Sequence, residues 1–450
     1  MRMSSMPDMS DRPSQMPRRV QIVGAGLGGL AAAIACARAG ADVQVTERAL
    51  VLGEVGAGIQ LSPNAMKALR WLGVDVAAAN PFRPDALELR MFDSGRRVYR
   101  APLDTAAEAR WGAPYLQVHR ADLHAVLLDA ALAAGVDLRL GMDVAGYERL
   151  AEGGARLIVR PTAEPAILLP TPVIEERRQR PRAVSLHPLG EASVPIPEPF
   201  KDAPFDLILG ADGIRSVIRE KMLPMAGHVG FSGNVAYRGT VPAAALAPGL
   251  VRPVASVWMG PQRHFVHYYV RGGAMVNFIA VCERAEWTPE GWGAQSDIAA
   301  LRAEFADWHP TVRGILAGAE TAYEWGLFHH EPFETWHDGP VALMGDAAHP
   351  MAPFLAQGAA MAFEDAVTLG RALPIYGVRY GLEAYEKLRA GRCAHMQQAA
   401  ARTGRRFHSR NRLDRFVKAT AIEALGHLSP RTATGLNDWI YGHDAGRAPV

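Results

Sequence analysis

The chain has 450 residues, of which 49% are hydrophobic and 21% charged, with a formal net charge of +2. That length accommodates two or three domains, and the near balance of charge offers no basic footprint for nucleic acid or an anionic membrane surface. Cys36, Cys282 and Cys393 lie far apart with no CxxC pair, which argues against a disulfide framework or a metal site and fits a reducing, cytoplasmic setting.

Residues 1–18 read as a disordered tail, since the opening MRMSSMPDMSDRPSQMPRR has no apolar stretch of the kind a secretory signal needs. No run approaches the roughly 18 apolar residues of a membrane span. Strand-like Val20 to Val23 leads through Gly24-Ala25-Gly26-Leu27-Gly28-Gly29 into an alanine-rich helix ending near Gly40, and a second strand begins at Val43. Gly24, Gly26 and Gly29 fit G-x-G-x-x-G, the pattern that makes a tight turn and lets backbone approach a pyrophosphate at a helix N-terminus. Glu47 follows at the end of the second strand, where an acid accepts hydrogen bonds from a ribose diol. This motif alone does not choose between NAD and FAD.

Ser62 and Pro63 then read as N-cap and first position of a helix over SPNAMKALRWLG, and HRADLHAVLLDAALAAG reads as a helix starting near Arg120. Residues 161–204 hold ten prolines and the cluster EERRQR, the composition of a surface insertion. From about 228 to 282 short β-rich runs follow one another, as in an antiparallel sheet over a pocket. The expected architecture is α/β: a Rossmann-like dinucleotide-binding domain in three pieces, 19–160 (which also carries some substrate-domain strands), 205–225 and 336–400. A β-rich substrate domain spans 226–335, and a helical segment spans 401–450.

Two further motifs follow buried strands. FDLILGADGIRSVIREKM carries Asp212-Gly213, and GPVALMGDAAHPMAPFLAQGAAMAFEDAVTLGRAL carries Gly345-Asp346 and a helix starting near Gly358. An acid at the C-terminal end of a strand in an open α/β sheet sits where ligands bind, so Asp346 suits a polyol chain. The helix start suits an anion.

The glycine fingerprint, the "DG" segment and the "GD" segment, in this order, resemble the single-component (class A) FAD-dependent aromatic monooxygenases of the para-hydroxybenzoate hydroxylase-like group. GAGIQLSPNAMKALRWLG, VAYRGTVP and AQGAAMAFEDA are most similar to the branch with salicylate hydroxylase, 3-hydroxybenzoate 6-hydroxylase and 6-hydroxynicotinate 3-monooxygenase. The resemblance implies FAD as cofactor. It implies that Gly24, Gly26, Gly29, Glu47 and the adjoining Arg48 hold its ADP half, and that Arg120 reaches toward the cofactor. Asp212 would serve FAD and nicotinamide binding, Asp346 the ribityl chain, and Pro350, Gly358 and Ala359 the flavin face. NADH or NADPH would be the co-substrate, with no second fingerprint to say which.

The implied reaction hydroxylates a small phenolic or hydroxylated (hetero)aromatic acid with O2 through a flavin C4a-hydroperoxide. A flavin oxidase or reductase, or a non-catalytic dinucleotide-binding protein, are the competing readings. Deprotonating the phenol calls for a base or relay. Tyr237 and Arg238 alternate on one strand, and Tyr237 is taken as the one facing the pocket; His349 is taken as the second catalytic group, beside Pro350. His264 and His267 are weighed for the same relay but read as core or exposed residues. Several relatives place a histidine just before the tyrosine of the AYRG segment where this chain has Gly233-Asn234, so that base is absent or supplied elsewhere. The carboxy-terminal helices are expected to pack on the domains or on a second subunit, giving a homodimer.

Overall fold

A computed structural model describes residues 16–53, 57–160, 204–224, 229–287, 294–408 and 435–450, with single positions at 411, 420 and 423. The expected tail up to residue 15 and the proline-rich stretch over 161–203 lie outside the described residues.

One sheet has six strands in the spatial order His337–Asp338, Val341–Leu343, Leu207–Gly210, Arg19–Val23, Asp42–Glu47 and Asp137–Leu140. All neighbours are parallel except the edge pair of His337–Asp338 with Val341–Leu343. Val20, Ile22, Leu207 to Leu209 and Val341 to Leu343 have no exposed surface, as expected of parallel strands covered on both faces. The strand order reverses beside Arg19–Val23: the chain proceeds to one side for the next two parallel strands and to the other side for the last two. Crevices at such reversals, outside the carboxyl ends of the strands, are where open α/β sheets bind ligands.

Helix Leu27–Arg38 is wedged between this sheet and the long helix Gly358–Phe407, which is broken at Gly377 (φ +69°) shortly after Pro374. Small residues make the approach close. A Cβ on Gly370 would come within 2.9 Å of the Ala35 Cβ, and one on Gly28 within 3.0 Å of the Ala362 Cβ. In helix Pro63–Trp71, Ser62 occupies the N-cap but its hydroxyl does not cap the helix. It donates to Asn64 Oδ1 (2.7 Å) and accepts from Gln357 Nε2 (3.0 Å) instead.

The second sheet has eight strands, in the order Ala294–Ser296, Ala322–His329, Gly230–Pro242, Met275–Glu283, Arg263–Val270, Ala255–Gly260, Ala86–Met91 and Arg97–Pro102. Its β-rich centre agrees with the sequence, while Ala86–Met91 and Arg97–Pro102 come from far upstream. Side-chain alternation splits it into two faces. Val241, Phe265, Phe278 and Trp258 pack under helices Ile298–Glu304 and Pro310–Gly318, together with Phe305 and Trp308. Leu87, Leu89, Val257, Val266 and Ile279 look the other way, into a cavity facing the first sheet. No helix among the described residues is long and apolar enough to cross a membrane.

A buried ion cluster fastens the long helix to these layers. Arg389 donates from Nε to Asp365 Oδ1 (2.7 Å) and from Nη1 to Glu364 Oε2 (2.5 Å) with about 2% of its side chain exposed. Burial pushes the Glu364 carboxyl up, but Arg389 with Arg392 and His443 more than offsets this and holds it at about 2. Removing one partner of a buried pair strands the other charge. Arg389→Leu is therefore expected to lower stability by about 3–5 kcal/mol near neutral pH. Because the stranded carboxylates relieve the penalty by taking up protons, the deficit should shrink at about pH 3.5. Urea denaturation at the two pH values, read against the unsubstituted protein, measures both effects; an undiminished deficit in acid would place its origin in packing.

Candidate active site

Four neighbouring strands each deliver a motif at the carboxyl end. Val341–Leu343 runs into Gly345-Asp346, Leu207–Gly210 into Ala211-Asp212-Gly213, Arg19–Val23 into the glycine turn, and Asp42–Glu47 ends at Glu47 itself. Segments more than a hundred residues apart in the chain thus become adjacent.

The turn is tightly built. Gly24 (φ +103°) donates to Thr46 O at 2.7 Å, and a Cβ there would collide with Ala211 O at 2.5 Å. A Cβ on Gly29 would lie 2.0 Å from Gly24 O. Ala25 is held from both ends: its N–H donates to Glu47 Oε2 (2.9 Å) and its carbonyl meets His124 Nε2 at 2.7 Å. Glu47 also accepts from Ala49 N at 3.0 Å. The first amides of helix Leu27–Arg38 have no intrahelical acceptors, and Gly26, Leu27 and Gly28 line the cavity. A Cβ on Gly26 would meet nothing within 4 Å, so the turn is closed behind and open in front.

The cavity holds about 880 Å³. Its near end is formed by the glycine turn, Ala211, Gly213, Arg120, Asp346, Gly358 and Ala359. Asp346 is exposed to this space, with protein packed on its other sides. Loss of bulk water raises its carboxyl above the ordinary range, while His349 and Arg120 pull it back. The far end is an apolar wall of the eight-stranded sheet, closed by Phe354, Phe407 and Tyr441. Arg238 and Arg406 bring positive charge to it. At its edge Tyr115 donates to Gln60 Oε1 at 2.5 Å, and Gly58 N to Asn277 Oδ1 at 2.6 Å.

The structure separates several expected site residues from this cavity. Asp212 sits behind the Ala211 and Gly213 lining, and one of its oxygens accepts from Val217 N (2.8 Å) and Ile218 N (3.3 Å). Its other oxygen is buried without a hydrogen-bond partner among the described residues. Arg48 is exposed on the surface. Pro350 is buried off the lining, its carbonyl accepting from Gln397 at 2.9 Å.

Two catalytic expectations require correction. Tyr237 faces away from the cavity toward the packed side of the sheet, where Arg284 Nη2 donates to its hydroxyl at 3.3 Å. Alternation places Arg238 on the cavity side instead, its guanidinium 4.4 Å above the Trp325 ring. His349 is buried outside the lining, with Nε2 2.6 Å from Asp365 Oδ2. Burial alone would push that imidazole down, but Asp365 reverses the effect and holds it well above the ordinary range. His349, Asp365 and Cys393 converge closely enough to suggest cation ligands. The Arg389 guanidinium already lies against Asp365 and 3.6 Å from the Cys393 sulfur, and its charge opposes a second cation.

A family model described as "FAD binding domain" matches residues 18–163 and 204–400. A 3-amino-4-hydroxybenzoate 2-monooxygenase of Streptomyces cremeus is 35% identical over 437 residues, covering 95% of this chain and 96% of that one. A 3-hydroxybenzoate 6-hydroxylase of Polaromonas naphthalenivorans is 31% identical, covering 97% and 98%. The chain belongs to the FAD-dependent aromatic monooxygenases. Among solved structures, a salicylate hydroxylase substrate complex shares the fold of this monooxygenase with a TM-score of 0.73, at 22% identity, covering 96% of this chain and 97% of that one.

FAD is the cofactor of the monooxygenase, and the residues present fit it. The cradle at Gly26 is open where a pyrophosphate would approach, and Asp346 stands free at the next strand end but one. These geometries separate two glycine substitutions. Gly26→Ala, whose methyl enters open space, should fold normally but bind FAD about ten- to a hundredfold more weakly. Gly29→Ala, whose methyl collides with backbone, should lose both stability and FAD. Thermal melts of the apoprotein and flavin fluorescence titrations distinguish the two; equal melting losses would contradict the open cradle.

Proposed function

We propose that this monooxygenase hydroxylates a small phenolic or hydroxylated heteroaromatic carboxylic acid, consuming NADH or NADPH and O2. The observation that carries the reading is a single cavity, continuous from the strand-end motifs to an apolar wall, with the Arg238 guanidinium at the apolar end. A flat ring suits Leu89, Val257, Val266 and Ile279, and a carboxylate suits an arginine, whose charge-assisted hydrogen bonds fix orientation. The relatives' names point to the same chemistry: a hydroxybenzoate or hydroxynicotinate for each of those named as such.

Gly24, Gly26 and Gly29 shape the phosphate cradle, and Glu47 fixes it through Ala25 while keeping lone pairs for a ribose. Asp346 accepts from the ribityl hydroxyls, and Arg120 neutralises charge beside it. The long helix starting at Gly358 presents its unsatisfied amides to the flavin edge. FAD bound there supplies reduction by the nicotinamide cofactor and the activation of O2 for insertion into the ring. The chain's part is to hold the ring, exclude water with Phe354 and Phe407, and handle the phenolic proton. The family match passes over 164–203. The three buried free thiols fit a reducing, cytoplasmic setting.

The test is anaerobic reduction of the holoenzyme by NADH and by NADPH, with and without salicylate, hydroxybenzoates and hydroxynicotinates, followed by air and product mass. Reduction stimulated by one aromatic acid with gain of one oxygen is expected; hydrogen peroxide in full yield with no new product would support an oxidase instead. Arg238→Met should raise KM for the acid about ten- to a hundredfold and leave a neutral phenol of the same shape unaffected. Equal losses for both would remove Arg238 from carboxylate recognition. Asp346→Ala should purify with depleted flavin, and full flavin retention would take Asp346 out of the cofactor site.

A further inference from the structure

We infer that His264, His408 and Glu283 form a proton relay that carries the hydroxyl proton of the phenolic substrate from the cavity to the protein surface, a role that rests on the hydroxylation reading above. The three groups come from separate elements. His264 lies on strand Arg263–Val270, on the same face as Val266 and Tyr268, and is the one imidazole lining the cavity among the described residues. Its Nδ1 is 2.6 Å from Nε2 of His408, the residue that ends the long helix. Nδ1 of His408 is 3.5 Å from Oε1 of Glu283, at the end of strand Met275–Glu283, and 26% of that carboxylate side chain is exposed. Phe354 and Phe407 pack against the His264 ring at 5.4 and 5.6 Å between centroids and screen the pair from bulk water.

The carboxylate sets the direction of the chain. An ionised Glu283 only accepts, so His408 carries its proton on Nδ1 and presents the lone pair of Nε2. His264 must then donate from Nδ1, which leaves its Nε2 as an acceptor without a partner among the described residues, on a residue that borders the cavity. A phenol hydroxyl in the cavity has a base to meet. The proton balance closes without electrons: the phenol O–H bond breaks and an N–H bond forms at His264 Nε2. The Nδ1 proton of His264 passes to His408 Nε2, the Nδ1 proton of His408 passes to Glu283, and water takes it at the surface.

The other groups around the cavity do not serve as this base. Arg120, Arg238 and Arg406 stay charged. Burial pushes the hydroxyls of Tyr99, Tyr115, Tyr268 and Tyr441 upward, which makes them donors. Asp346 belongs to the strand-end side of the cavity, beside Arg120. On the outer side, Arg284 next to Glu283 is occupied by Glu304 at 2.5 Å. Burial also holds both histidines below the ordinary range, His408 at about 4 despite the counter-pull of Glu283, and His264 well below its usual value with His408 beside it. Both are neutral near pH 7, with a lone pair to offer. A base this weak does not hold a proton, and a relay does not require it to.

The experiment mixes FAD-loaded enzyme with 3-hydroxybenzoate or salicylate in weak buffer and follows proton release with an indicator dye, beside the hydroxylation rate and its pH profile. His408→Phe keeps an aromatic ring against Phe354 and cuts the relay; Glu283→Gln removes the terminal acceptor; His264→Phe removes the base. The expected result is normal FAD content and probe binding in His408→Phe, with proton release and hydroxylation slowed about a hundredfold and partly recovered as pH rises and the phenol ionises by itself. Glu283→Gln should move the same way. Wild-type proton release and an unshifted pH profile in His408→Phe, with hydroxylation intact, would overturn the relay and leave the proposed function standing. Failure of the unsubstituted enzyme to bind or hydroxylate any aromatic acid would instead overturn both. If His264→Phe does not fold, the other two variants decide.

Discussion

The cluster of Arg389 with Glu364 and Asp365 is the interaction on which the rest of the structure depends, because each acid holds a different part of the site. Asp365 accepts from the Gly345 amide (3.0 Å) and meets His349, and so fixes the loop that presents Asp346. Glu364 accepts from Asn64 (2.8 Å) and from Arg392 (2.8 Å), tying down helix Pro63–Trp71 and, through Arg392, the carbonyl of Trp439. Two acids adjacent in sequence project to different sides of one helix, so Arg389, with Arg392 beyond Glu364, locks the near end of the cavity to the short helix Asp438–Tyr441. Such a cluster is costly to bury, and its geometry satisfies most of the guanidinium through two carboxylates and the Met361 carbonyl. This gives His349 a role that its place in the motif did not reveal: it braces the loop from behind.

The cofactor half was legible because its constraints are local. A G-x-G-x-x-G turn after a buried strand and an acid at the next strand's end are short-range patterns with steric causes, and the collisions a Cβ would meet at Gly24 and Gly29 are those causes. The "DG" and "GD" motifs could likewise be read as strand ends. What the sequence does not contain is the order of strands that makes these motifs neighbours; that follows from the parallel connections on both sides of Arg19–Val23.

The substrate half was less legible for an equally physical reason. Alternation says that Tyr237 and Arg238 face opposite ways, but not which way is inward. The choice is made by helices Ile298–Glu304 and Pro310–Gly318, whose packing turns the Tyr237 face into a second core and leaves an arginine looking into the cavity. A core-side tyrosine and a cavity-side arginine reverse the usual expectation from polarity, because the arginine stands on a wall that is otherwise apolar. Gln60, Tyr115 and Asn277 show no chemistry of their own in the sequence, and they meet only where the paired strands Gly58–Leu61 and Leu116–His119 approach the eight-stranded sheet.

The same logic explains why His264 reads as a core residue in sequence. It stands in an apolar, aromatic run, and its partner His408 lies 144 positions downstream at the tip of a helix. A lone imidazole in such a place is a liability, buried and half satisfied; a pair terminated by a partly exposed carboxylate is an oriented path. The path leaves the cavity from its apolar end, while charge for the cofactor is concentrated at the strand ends. Separating the two lets the protein keep the flavin side dry and still exchange a proton with water, which a single polar opening beside the cofactor would not allow.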